Sequence, residues 1–484
     1  MPGNGIDLPG INRFFLAAFL LVCLEALFAV PKLSWELAMP SREGLGILVS
    51  LAVAALAAFF VWKWREPLRS RLARLAERLA RVPRRLWLAG LLIAGLLFRL
   101  AWALIFPAPQ VADSGTYYAL GAMLARGEPY VTPLSGTRAE WPPGLPLLLA
   151  GTFRLVGIGR AGVILLNLAL FAGLLLTTDR LARRLAGEGG ARIATLLLAV
   201  WPNLIASAGL ATKEAVVALA MTLSFLLYIA GQDAPSAGLR WLFRLGAGLA
   251  LGYATLSQPA LIVLPSAFVL ADLAGRVPLR RALPSWVLLA AGMALVIVPW
   301  MIRNQEVLGR FVLGTNGGVV FYRGNNPVST GGFNLGNRPM KHMGELEASD
   351  TGDRWGKEWI RENPGRFLAL AVRKQILFLG DDAVGVYETL KRGLGRDGAL
   401  YAGLKLLASG WWWALWLLIL LGLSGWWRTQ VTLPAGLLLL LLSFLCIWTS
   451  DSVFESGSRH HVPLVGAVAV LAGLSARPLR NESE

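Results

Sequence analysis

The stretch Val111-Ala112-Asp113-Ser114-Gly115-Thr116-Tyr117-Tyr118-Ala119-Leu120-Gly121 follows closely on an apolar run from Leu86 to Phe106. That run is long enough to cross the ~30 Å of hydrocarbon in a bilayer. The stretch after it sets one carboxylate, Asp113, at the membrane surface. Asp113 or Ser114 can cap a helix from Gly115 to Arg126, and Gly127 can stop it. Tyr117, Leu120 and Leu124 give that helix an apolar stripe, suited to lying along the membrane. A crossing helix followed by an interfacial helix that carries an acid predicts an all-α polytopic membrane protein.

Composition agrees. The 484 residues are 56% hydrophobic and 15% charged, with a mean hydropathy of +0.58; soluble chains carry about 25% charged residues. Nineteen Trp suit interfacial belts. The net charge of +17 is carried by short segments between apolar runs. It therefore reads as topology-setting charge and predicts no nucleic-acid partner. Cys23 and Cys446 both lie in apolar runs, as small buried hydrophobes rather than a disulfide framework or metal ligands. The first run, Phe14 to Val30, lacks a basic start and a small-residue cleavage site, so it is expected to stay as a span.

Residues 1–63 read as a transmembrane hairpin, with spans Phe14 to Val30 and Leu45 to Trp62. Glu25 within the first span is either a buried partner for a cation or an interface residue facing neighbouring helices. Residues 64–85 are rich in Arg, and Leu68, Leu72, Leu75 and Leu79 share one helical face. This predicts an amphipathic helix lying on an anionic cytoplasmic leaflet. It places both termini in the cytoplasm and Asp113 outside. A core of spans is expected over 86–302, with an outer loop at 107–159 in which the short apolar run 143–158 stays at the interface. From Ala161 the spans alternate, with Arg180, Arg183, Arg184, Arg276, Arg280 and Arg281 marking the inside. Residues 303–405 form an external stretch of about 100 residues, and 406–484 return as C-terminal spans with Arg477 and Arg480 inside. The total is about twelve spans.

No ATP-binding P-loop, no dinucleotide fingerprint and no Asp-x-Asp clamp outside a span is present. The polar residues that need explaining fall on the outer side, in four clusters. Asp113, with Tyr117 one turn on and Glu140 at the far end of the loop, is a general base or, more plainly, a helix cap. Lys213-Glu214 is a helper of such a site or a helix-terminating ion pair. Arg303-Asn304 precedes Gly-rich segments and Tyr322-Arg323-Gly324-Asn325-Asn326-Pro327, which suit sugar hydroxyls and phosphate unless they are ordinary turns. Finally, Arg459 and His460 precede the last span, where Arg459 can bind a lipid phosphate or simply snorkel. His460 and His461 are adjacent and point apart on a helix, so no metal pair is expected there.

Taken together, Asp113-Ser-Gly-Thr-Tyr117, Trp141-Pro142-Pro143-Gly144, Thr212-Lys213-Glu214, Pro299-Trp300-Met-Ile-Arg303-Asn304, Gly324-Asn325-Asn326-Pro327 and Arg459-His-His-Val-Pro463 resemble a known superfamily. The chain looks like the membrane glycosyltransferases of the C-type (GT-C) fold, among bacterial relatives of dolichyl-phosphate-mannose protein mannosyltransferases and aminoarabinose lipid A transferases. The resemblance runs over roughly 86–476. It implies inverting transfer of a hexosyl or pentosyl group from a polyprenyl-phosphate sugar to a lipid, glycan or protein acceptor outside the cell membrane. It implies Asp113 as base or acceptor-positioning residue and Arg459 on the lipid phosphate, with no resident cofactor. Ser114 stands where such proteins often have a second acid, and neither a metal-assisted nor a two-carboxylate version is indicated. A transporter or flippase of lipid-linked sugars, or a non-catalytic envelope assembly protein, are the competing readings.

Overall fold

A computed structural model describes residues 10–334, 336, 337, 340, 342–428 and 433–477. Arg480 lies outside the described residues. In chain order the helices are α1 (Ile11–Ala38), α2 (Glu43–Ala80), α3 (Arg84–Ile105), α4 (Ala112–Ala125), α5 (Gly144–Val156), α6 (Arg160–Ala199), α7 (Pro202–Ala206), α8 (Glu214–Ala230) and α9 (Ala237–Ser257). They continue with α10 (Pro265–Ala274), α11 (Leu279–Leu308), α12 (Gly317–Gly324), α13 (Glu345–Glu362), α14 (Pro364–Leu379), α15 (Val384–Val386), α16 (Ala399–Arg428), α17 (Ala435–Val453) and α18 (Val465–Gly473). A π-helical turn, Tyr387–Gly393, follows α15 directly. The described residues form no strand. Seven of their helices are long and apolar enough to cross a membrane, and four shorter apolar helical segments join them.

The contacts of α3 show how the chain is threaded. On the first part of α6, Arg160 donates to Ala103 O, Phe171 lies over Arg99, and Asp179 takes Arg84. This arm runs antiparallel to α3. On the second part, Arg192 donates to Val82 O, Thr195 accepts from Trp87, and Ala199 O accepts from Arg99. That arm runs parallel to α3. The 40-residue α6 is therefore a hairpin of two helical arms, reversed at Gly187, whose φ of 76° and ψ of −175° suit glycine. The expected span at 191–208 is shorter than predicted. It ends at Ala199, because Trp201 turns extended ahead of Pro202.

The other contacts sort into the same two ends. Residues 103–113, 144, 160, 199–214, 257, 303 and 459 meet at one end. Residues 82–87, 179–192, 230–233 and 272–286 meet at the other. The 13-residue α5 starts beside Ser257 and is followed by Arg160, both at the Asp113 end, so it does not cross. Between α9 and α11, Gly248 lies against Leu289 O and Gly292 against Leu245 O. These glycines let two apolar helices touch backbone to backbone, the usual way of packing helices where no water drives association.

Three expectations about segments change. The basic stretch 64–80 is not a separate surface helix but continues α2, and its Leu72 and Leu79 pack with Ala76 against Ile193, Leu197 and Ala476. Protein neighbours thus cover part of that stripe, while Leu75 stays exposed. The hairpin 11–62 is part of the core: Phe19 sits edge-on to Phe444 at 5.4 Å, and Leu27 O accepts from Trp413. The stretch 303–405 is largely helical rather than loop, and α14 sends Phe378 and Leu379 into the same core.

Candidate active site

Asp113 stands in the first turn of α4. The chain enters that helix through Ala112, which has a φ of 50°. Only two described non-glycine residues have positive φ, and this conformation costs an L-residue about 1–2 kcal/mol. Neither Asp113 nor Ser114 is the N-cap expected of a helix from Gly115: α4 begins at Ala112 with Val111 in that position, and Ser114, inside the first turn, reaches back to it, its Oγ accepting from Val111 N at 3.1 Å and donating to Val111 O at 2.8 Å. The Asp113 carboxylate is thereby free of capping, and it accepts from Arg459 Nη1. Each side chain of this pair keeps a little over a third of its surface exposed, so the pair is open to a ligand.

Further charges surround it. Lys213, at the head of α8, lies within electrostatic reach of Asp113, Glu214, Arg459 and Glu455. Arg392, from the π-helical turn, also reaches Asp113, and Glu388 holds Arg392 at 2.8 Å. Burial acts to raise the Asp113 pKa, but Arg459, Lys213 and Arg392 together carry it below the usual carboxylate value. Burial acts to lower that of Arg459, and the carboxylates of Asp113 and Glu214 overcome it and raise it. Lys213 is lowered, first by burial and next by Arg459. Glu388 is raised by burial, against the pull of Arg392 and Arg459. The result is a fixed anion at Asp113 among three cations, Arg459, Lys213 and Arg392, with the carboxyl groups of Glu214, Glu388 and Glu455 close by.

The framework of this site is a set of buried side chains bonded to backbone. Gln110 donates to Gly209 O and accepts from Ala211 N, both at 2.8 Å, while Asn167 donates to Ala208 O and Leu210 O. These bonds hold the turn that delivers Lys213. Tyr117 packs edge-on against Trp141 at 5.1 Å, and burial with the nearby Glu214 and Asp113 keeps its phenol neutral well above the ordinary range.

The sequence-predicted residues divide. Asp113, Tyr117, Lys213, Glu214 and Arg459 come together. Glu140 does not join them: its carboxylate closes a local turn by accepting from Thr137 Oγ1 at 2.8 Å and from Ser135 Oγ. Arg303 donates to Arg138 O and Tyr130 O and stacks on Trp300, so backbone carbonyls occupy the fork expected to hold phosphate. Asn304 is fully buried, accepts from Arg303 and donates to Val312 O. Asn325 and Asn326, also fully buried, bond to Phe321, Val453, Tyr322 and Arg323 carbonyls, not to open space. Loops near the membrane surface must satisfy their own carbonyls, and these Arg and Asn side chains do so. His460 borders the site through Glu455 and is engaged by Asp451. His461 points elsewhere, stacked on Trp412 and bonded to the buried Asp382.

Glu388, Arg392 and Glu455 were not anticipated. They sit in polar segments with no local motif, and only the acid-x-x-x-base spacing of Glu388 and Arg392 hinted at a helical pair. Among the described residues no three His, Cys, Asp or Glu side chains are arranged to hold a metal ion.

Solved structures resemble this chain in fold. The archaeal oligosaccharyltransferase AglB from Archaeoglobus fulgidus, in complex with an inhibitory peptide and a dolichol-phosphate, superposes with a TM-score of 0.50 at 14% identity. The match covers 81% of this chain and 50% of that one, so this chain spans half its length. ArnT from Cupriavidus metallidurans bound to undecaprenyl phosphate matches at 17% identity, over 82% of this chain and 78% of that one, with a TM-score of 0.44. The chain thus shares the multi-pass all-α fold of that archaeal oligosaccharyltransferase. Within it, residues 140–302 match the family described as dolichyl-phosphate-mannose-protein mannosyltransferase. No curated protein matches the chain.

Proposed function

We propose that the protein transfers a sugar from a polyprenyl-phosphate carrier to an acceptor at the Asp113 end of the membrane, with inversion at the anomeric carbon. The observation that carries this reading is the accessible Asp113–Arg459 pair within reach of Lys213 and Arg392. The acceptor hydroxyl or amine attacks the anomeric carbon and gives its proton to Asp113 Oδ. The bond from that carbon to the phosphate oxygen breaks, and its electron pair leaves with the lipid phosphate. Charge grows on the phosphate as the bond breaks, and Arg459, Lys213 and Arg392 stabilise it there. The phosphate draws Arg459 away from Asp113, which restores the basicity the ion pair suppresses. Placement of this end outside the cell membrane, with both termini inside, is part of the proposal and rests on the basic segments at the opposite end. The dolichol-phosphate named with AglB and the undecaprenyl phosphate named with ArnT are carriers of the proposed kind.

The test is transfer from radiolabelled polyprenyl-phosphate sugar by purified protein. Asp113→Asn lowers the rate by about 10²–10⁴, the usual contribution of a general base, while its elution profile and melting temperature stay near wild type. Undiminished release of free polyprenyl phosphate by the variant overturns the role of Asp113. Binding of the donor by the wild type without release of the phosphate, in the presence of acceptor mixtures, favours a transporter instead.

A further inference from the structure

At the membrane end opposite Asp113, a cavity of about 520 Å³ opens between the end of the first arm of α6, the end of α8 and the start of α9. Arg84, Arg180, Arg183 and Arg184 border it and, with Leu226, Leu227 and Phe243, line it mostly with apolar side-chain surface. We infer that this cavity binds one membrane lipid of net negative charge through its phosphate head group, in the leaflet opposite the Asp113 site.

The charges are unbalanced. Arg84 and Arg183 share the single carboxylate of Asp179. Arg183 also takes Glu188, which is claimed in addition by Arg192. Arg184 meets Asp233 at 2.9 Å, but that pair is largely exposed and contributes little. The guanidinium of Arg180 donates only to Leu176 O, a carbonyl of its own helix. Five arginines thus share three carboxylates, and the excess positive charge converges on the cavity rim. A phosphate is the ligand such a rim selects, because its oxygens take two parallel N–H bonds from each guanidinium.

The wall selects a lipid over a soluble anion. Inorganic phosphate or a sugar phosphate would leave Leu226, Leu227 and Phe243 uncovered, whereas an acyl chain covers them while its head group reaches the arginines. Topology-setting charge needs no concavity. A basic pocket between crossing helices with an apolar floor matches the pattern by which membrane proteins hold anionic lipids. The site stands apart from the transfer reaction: α3 and the length of α8 separate it from Asp113.

The experiment is native mass spectrometry of the full-length protein released from nanodiscs of defined composition. With phosphatidylglycerol, one lipid is retained per protein, and phosphatidylcholine, whose quaternary ammonium cancels the charge of its phosphate and is repelled by the arginines, is retained at least about tenfold less. Arg180→Gln, which removes a guanidinium bonded only to its own helix, lowers phosphatidylglycerol retention by a similar factor, and Arg180→Lys restores part of it. Asp113→Asn retains lipid as the wild type does, whether or not it transfers sugar. Melting temperatures confirm that each variant is folded. Equal retention of both lipids, or full retention by Arg180→Gln, overturns the inference. So does displacement of the lipid by millimolar inorganic phosphate, which would assign the rim to a soluble anion.

Discussion

Glu388 holds Arg392 beside Asp113, and its own carboxyl is raised by burial while that of Asp113 is lowered overall. As pH falls, Glu388 takes up its proton first and Asp113 stays ionised. The acid limb of the transfer rate in wild type should therefore begin above the usual carboxylate range. Glu388→Gln should lower the plateau by about tenfold or less and move that limb down to where Asp113 titrates; a pH–rate profile with an unchanged limb would refute the role of Glu388. The residue scale also shows what could be read in advance. Asp113 and Arg459 are legible because each adjoins an apolar span and has no neighbour to satisfy it. Arg303, Asn304, Asn325 and Asn326 have the right chemistry for a ligand, yet the nearest carbonyls take them. Side-chain type reveals capacity for hydrogen bonding, while the partner depends on loop paths that no local pattern encodes. Glu388 lies 275 positions from Asp113, in a segment full of other charges, so nothing nearby marks it.

At the scale of elements, the length of an apolar run predicted the span where the run stood alone, as in α3. It failed where two elements share one helix or one helix breaks. The basic part of α2 has a stripe of leucines that protein and lipid could cover equally well, and only packing against α6 decides between them. In α6 the reversal rests on Gly187, with Gly189 and Gly190 close behind. A glycine-rich segment between apolar runs signals a turn, but its continuation as helix on both sides is not visible from composition. Gly187→Val should be costly, because a β-branched side chain resists a φ of 76° and nothing else bends the chain there. The expected loss is about 1–3 kcal/mol, read as a lowered melting temperature in detergent. Ala at Gly189, where the nearest side chain is Ala76 Cβ at 3.0 Å, should cost less.

For the whole molecule, the first hairpin is the largest departure from expectation. Read alone, residues 1–63 look like an added anchor. In the structure α1 fills a gap between α14, α16 and α17, with Phe19, Cys23 and Leu27 fully buried, and Arg69 of α2 donates to Gly422 O. Deletion of residues 1–80 should therefore abolish a monodisperse elution profile instead of merely loosening membrane attachment. A folded, active truncated protein would show that the remaining helices close on themselves. Lys374 of α14 is another joint of the assembly: fully buried, it donates to Asn325 Oδ1 and Val453 O, and burial depresses its pKa from 10.5 to about 8. Between those values the unfolded chain holds a proton that the folded chain has released, so stability rises with pH across that window. The gain is on the order of 3 kcal/mol, and Lys374→Met should flatten the slope of melting temperature against pH from 8 to 10.5.

The pairing of Asp113 with Arg459 joins residues 346 positions apart in the chain. During synthesis the nascent protein therefore has its acid in the membrane long before the guanidinium that completes the pair. No chain made only as far as the residue before Arg459 can hold a donor phosphate in the proposed manner, and a product terminated there would be inert rather than unregulated.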